Sequence, residues 1–145
     1  MVPKFRGKTI KGLLVVGYVS VVTDKRAGVE PGTYISNSVG LPFAYEVDPK
    51  TVGQSTGLKD KNGVEIFEGD IVRYTWDMLS DVNATEKGKK VRISKVFWSD
   101  WRASWAVGEK SCNNDLFRYA RNGNTVEVIG NVWENPNLLE QANEN

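Results

Sequence analysis

The chain contains no histidine and a single cysteine, Cys112, in 145 residues. Without histidine the commonest general base and metal ligand is missing, and a lone thiol cannot form an intramolecular disulfide. A cysteine nucleophile usually works with a histidine partner, so Cys112 reads as an ordinary thiol of a reducing compartment. An excess of charge of one sign is also lacking: 19 Lys and Arg against 18 Asp and Glu leave a net charge of +1. That balance creates no long-range field drawing the whole molecule to nucleic acid or an anionic membrane, so any polyanion binding needs a local patch. No stretch approaches the roughly 20 apolar residues of a membrane span, and the first residues lack the apolar run of a secretory signal. A cytoplasmic chain without membrane contact is therefore expected. There is no internal repeat or low-complexity run.

What is present is mostly strand-forming. The segment from Leu13 to Val22 is rich in β-branched residues and predicts a largely buried strand, with a possible bend at Gly17-Tyr18. Lys25 to Gly32 carries charges and Pro31-Gly32, the composition of an exposed loop, and Thr33-Tyr34-Ile35 resumes strand character, so a hairpin is expected. Phe43 to Val47 alternates apolar and polar positions until Asp48-Pro49 stops it, and Lys50 to Gln54 allows a further short pairing. Lys61-Asn62-Gly63-Val64 offers a type I′ turn, and Glu68-Gly69-Asp70 a second turn before a strand from Ile71. Glu65-Ile66-Phe67 bridges the two turns.

This order of turns and apolar pairs between Tyr45 and Val72, with Val128 to Leu139 near the end and Phe5-Arg6-Gly7-Lys8 near the start, resembles the YopX family of phage and prophage proteins. The resemblance implies two β domains, the second barrel-like, and a phage or prophage accessory role, without implying a reaction. It also implies an aromatic residue near Leu14-Val15 and another at Ser55, and this chain has neither.

Beyond Val72 the strands recur at barrel-like spacing: Lys90 to Trp98 with a bulge near Ser94-Lys95, Arg102 to Val107, and Thr125 to Trp133. The Asp77 to Gly88 connection is polar, Asp115 to Tyr119 suits one helical turn, and Asn135-Pro136 can cap and start a brief helix carrying Leu138 and Leu139. The expected architecture is mainly β: a small N-terminal β unit over residues 1–58, an SH3-like β-barrel over 59–139, and a tail over 140–145. Trp133, in the last strand, is expected to close the barrel core.

Candidate chemistry is sparse. Glu46, Asp48, Asp60, Glu65, Glu68 and Asp70 cluster in the signature, but turn chemistry accounts for most of them, and the spacing fits no calcium loop. Gly53-Gln-Ser-Thr-Gly57 lacks the Gly-Lys-Ser/Thr ending of a phosphate loop. No catalytic residue, metal site or cofactor is expected. One local feature stands out. Lys87 to Lys95 places five cations in nine residues, followed by Trp98, Trp101, Arg102 and Trp105. Lys89, Lys90, Arg92, Lys95 and those four residues form the candidate binding surface. Aromatics interleaved with cations suit single-stranded nucleic acid, while Trp and Tyr dominate protein interface hot spots. The first expectation is a non-catalytic binding module for a host or phage protein. A weak nucleic-acid-binding barrel ranks second and a carboxylate-dependent hydrolase third. Assembly with copies of itself is left open.

Overall fold

Turn residues at short intervals cut the described residues into twelve strands, most of them short. The computed structural model describes residues 3–37, 44–76, 90–109, 112–121 and 124–143. The chain divides into two compact units, Met1–Ser55 and Thr56–Asn145.

The first unit is an antiparallel sheet of β1 (Phe5–Lys8), β2 (Leu14–Val22), β3 (Gly32–Ser36) and β4 (Ala44–Val47), in the order β4-β3-β2-β1. The start of β5 (Gly53–Lys59) lines the other edge of β1, with Phe5 opposite Gln54 and Arg6 opposite Gly53. The expected β2–β3 hairpin forms, in register from Tyr18 opposite Ser36 to Val22 opposite Gly32. Asp48 ends β4 as anticipated, its carboxylate accepting from Lys50 N at 3.0 Å to cap a 3₁₀ helix over Pro49–Thr51. Phe43 lies outside the described residues. Burial of β2 differs from expectation: Val15 and Gly17 are buried, whereas Val16, Tyr18 and Val21 are exposed. A strand in an antiparallel sheet packs one face only, and here Val15, Ile35 and Val47 make the core, with Phe5, Tyr45 and Val52 against it.

The second unit continues with the rest of β5, then β6 (Glu65–Phe67), β7 (Asp70–Trp76), β8 (Lys90–Lys95), β9 (Phe97–Ser99), β10 (Ser104–Glu109), β11 (Cys112–Asp115), α1 (Leu116–Arg121), β12 (Glu127–Asn131) and α2 (Asn137–Asn143). β5 pairs with β6, and two three-stranded sheets follow, β12-β7-β8 and β11-β10-β9. Ile66, Val72, Tyr74, Val96, Val107, Leu116, Tyr119 and Val126 form one buried cluster.

Among the described residues no sheet closes into a barrel, so the SH3-like closure expected from strand spacing is corrected to open antiparallel sheets. The reason lies at Val96. The β7–β8 register runs without a shift from Ile71 opposite Lys95 to Trp76 opposite Lys90, so the expected bulge at Ser94-Lys95 is absent. The strand stops instead: Val96 is fully buried, donates to Asp70 O, and β9 joins a different sheet. Between β8 and β10 a side chain acts where a ladder would run, with Ser94 Oγ accepting from Gly108 N at 2.7 Å. A shift does occur in the β7–β12 ladder, between Val128 and Gly130.

Three further expectations need correction. Among the described non-glycine residues only Ala27 and Ala103 have positive φ, so Asn62 does not, and the 61–64 turn is not type I′. Gly63 alone takes φ +82, closing a turn in which Gly63 N donates to Asp60 O. This is the pattern of a longer hairpin loop ending in a left-handed glycine. Trp133 lies beyond β12, outside the core cluster, half-buried with its ring over Gly69. The Asn131 side chain pulls the chain out of the strand by accepting from Trp133 N and Glu134 N. The Asn135 side chain accepts from Asn131 N rather than capping α2, which runs through Leu138 and Leu139 to Asn143.

The core carries one titratable group with a legible pH effect. Burial pushes the Tyr74 phenol up to about 12 from an ordinary 10.0, with Tyr119 adding to the rise and Arg92 opposing it. Below the ordinary value both folded and unfolded chains are neutral, and the contribution to stability is complete. Above it the unfolded chain ionises first, so stability should fall as pH rises from 10 toward about 12. Melting temperatures taken across that window should decline less steeply for Tyr74→Phe than for the wild type. Parallel declines would show that Tyr74 ionises freely in the folded state.

Candidate tryptophan groove

The β9–β10 hairpin builds an aromatic surface feature. Its ladder sets Trp98 opposite Trp105, which share one face of the pair. Their rings meet edge to face at 5.2 Å between centroids, the arrangement favoured by the aromatic quadrupole. Residues 100–103 form the connecting loop, where Ser99 Oγ accepts from Arg102 N at 3.3 Å and Ala103 takes φ +52. Trp101 stands at the tip, 86% exposed, with the Arg102 guanidinium carbon 5.2 Å from its ring centroid.

Beside the hairpin lies a groove of about 440 Å³, near the small end of ligand cavities. Trp98, Trp105 and Phe117 supply its aromatic walls, with Leu58 and Thr56 from β5. Trp98 and Phe117 are 45% and 48% exposed. The polar lining is internally matched. Arg102 donates through Nε to Asn113 Oδ1 and through Nη2 to Asn113 O at 2.7 Å, and Nη1 sits 3.8 Å from Asp115 Oδ2. The other Asp115 oxygen accepts from the Ser104 hydroxyl. Thus the one carboxylate lining the groove is engaged on both oxygens.

The structure gathers Trp98, Arg102 and Trp105 around this groove and sets Trp101 on the adjoining loop. Of the basic stripe, the two cations whose faces are described are set apart. Arg92 pairs across to Tyr74 and Lys95 to Ile71, three residues apart on a strand with a two-residue period, so the two cations take opposite faces. Neither lines the groove. Lys90 starts β8, and Lys89, Lys87 and the Asp77 to Gly88 connection lie outside the described residues. Sequence reasoning missed Leu58, Asp115 and Phe117. Phe117 and Arg121 stand four apart on α1, the spacing at which helical side chains meet, and Arg121 indeed lies over the Phe117 ring at 4.9 Å.

Of the acidic positions of the signature, Asp60 and Asp70, like Asp48, act on backbone. Asp60 Oδ1 accepts from Asn62 N and Val64 N while Oδ2 accepts from Val128 N, and Asp70 Oδ2 accepts from Phe67 N. Among the described residues no three His, Cys, Asp or Glu side chains are grouped as metal ligands. No helix among them is long and apolar enough to cross a membrane.

The chain is similar to the crystal structure of protein EF1440 from Enterococcus faecalis, with a TM-score of 0.53 and 26% identity over 96% of this chain and 99% of that one. No curated protein matches the chain. The family described as YopX protein matches residues 8–140, nearly the whole length, and the chain belongs to that family.

Proposed function

We propose that this protein is a non-catalytic binding module that holds a segment of a partner protein in the groove of its second unit. The observation that carries this is the groove itself, a concave surface whose walls include two aromatic side chains left about half exposed beside a third. Large exposed rings in a concavity retain surface that a partner can cover, and aromatic anchors in such pockets dominate interface energies. A phage or prophage accessory role is supported by the family resemblance, and a cytoplasmic setting by the single cysteine.

The polar groups in the groove support binding over catalysis. Ser104 and Asp115 are the nearest approach to a nucleophile and its base. The Asp115 carboxylate is already engaged by a guanidinium, and the chain has no histidine to serve as the base.

A random-peptide display selection against the intact protein, counter-selected with a Trp98→Ser/Phe117→Ser double variant, tests this. Both side chains are substantially exposed, so the variant should fold. Selected peptides should perturb tryptophan fluorescence and bind the variant at least about tenfold more weakly, as expected when hot-spot aromatics are truncated. Enrichment of no peptide, or equal affinity for the variant, overturns the proposal.

A further inference from the structure

The charge around the groove indicates the chemistry of its occupant, an inference that rests on the binding role just proposed. Inside the groove charges cancel, since Arg102 is held by Asn113 and by Asp115. Its rim is different. α1 contributes Phe117 to the wall and carries Arg118 and Arg121, both exposed, with no acidic residue in its first turn. Arg121 lies 4.9 Å over Phe117 and Arg118 5.9 Å from the Tyr119 ring centroid. Among the described residues neither arginine has a carboxylate within ion-pair distance. A favourable place near a helix C-terminus accounts for basic residues here, but it leaves their charge available to an incoming group.

We infer that the groove selects an acidic peptide segment, with large apolar side chains seated against Trp98, Trp105 and Phe117 and flanking carboxylates facing Arg118 and Arg121. A guanidinium resting on a ring keeps its outward N–H groups free for carboxylate oxygens. Nucleic acid would also meet the positive rim, but the aromatic surfaces suit it less. One face of Phe117 lies under Arg121 and the Trp98–Trp105 pair meets edge to face, so stacking surface for bases within the groove is reduced.

Three labelled peptides distinguish the outcomes: Glu-Glu-Leu-Pro-Trp-Leu-Glu-Glu and the same core flanked by lysines or by serines, with oligothymidylate as a fourth probe. By fluorescence anisotropy at low salt the glutamate peptide should bind about tenfold more tightly than the lysine peptide, narrowing as salt screens the rim. An Arg118→Gln/Arg121→Gln variant, checked for an unchanged melting temperature, should abolish that preference while leaving the serine peptide's affinity within about twofold. Equal binding of glutamate and lysine peptides by the wild type overturns the acidic preference and leaves the groove's binding role standing. If no peptide binds, both fall, and tighter binding of oligothymidylate than of the glutamate peptide makes nucleic acid the occupant.

Discussion

Asp60→Ala is expected to destabilise the second unit by about 4 kcal/mol, because it strips three backbone N–H groups of a buried charged acceptor at once. Asp60 is 4% exposed, and its oxygens lie 2.8 Å from Asn62 N, 2.9 Å from Val64 N and 2.9 Å from Val128 N. Two of these bonds shape the turn before β6. The third reaches 68 residues along the chain to β12, supported by Lys61 N donating to Val126 O. A single carboxylate therefore fixes a local turn and docks it on a distant strand. Asp60→Asn keeps one carbonyl oxygen for the turn but sets its amide against Val128 N, so a loss of about 2 kcal/mol is expected. Urea titrations followed by fluorescence read the second unit directly, since all five tryptophans, Trp76, Trp98, Trp101, Trp105 and Trp133, belong to it. An alanine variant within about 1 kcal/mol of wild type would mean that water replaces the carboxylate, and that the clamp has no structural weight.

Gly17→Val should be the most damaging single change in the first unit. A Cβ built on Gly17 would overlap Ser36 O and lie 2.8 Å from the Ser36 carbonyl carbon, backbone atoms that cannot rotate away. Ser36 pairs with Tyr18 at the end of the β2–β3 ladder, so relief requires prising the two strands apart. The core beneath consists of Val15, Ile35 and Val47, with Ile35 on β3, and opening the ladder uncovers it. A loss of at least about 3 kcal/mol is expected, comparable to severe overpacking of a core. Amide hydrogen exchange of peptides spanning β2 and β3 is the readout, and protection equal to wild type would show that the strands can separate locally without cost.

Both positions were visible in the sequence without their roles being so. Gly17 stood out as an interruption of a β-branched run and suggested a bend; the structure instead uses its missing side chain to admit a neighbouring carbonyl. Asp60 was assigned to turn chemistry, which accounts for its bonds to Asn62 and Val64 but gives no sign of Val128, because no sequence-local rule links residues so far apart. The groove shows the same division. Its tryptophans were conspicuous at 98, 101 and 105, yet of the run that suggested a basic surface, strand alternation puts Arg92 and Lys95 on opposite faces. Arg121, packed over Phe117 of the groove wall, sits on α1, a segment that looked like a connecting turn.

The sequence by itself determined the family, the predominance of antiparallel strands, the β2–β3 hairpin, the stop at Asp48-Pro49 and the short helix before β12. Each is a product of local covalent and steric preferences: β-branched side chains, proline's missing donor, and Asx side chains that bond their own backbone. Tertiary structure decided which face of β2 is wet, where the strand after β8 breaks, why Trp133 leaves the core, and which charges remain unpaired. Those outcomes depend on burial and cross-strand neighbours, which are set only when distant segments meet: Val96 stops a strand because the core needs it, and Arg102 loses its free charge because β11 brings Asn113 and Asp115 beside it.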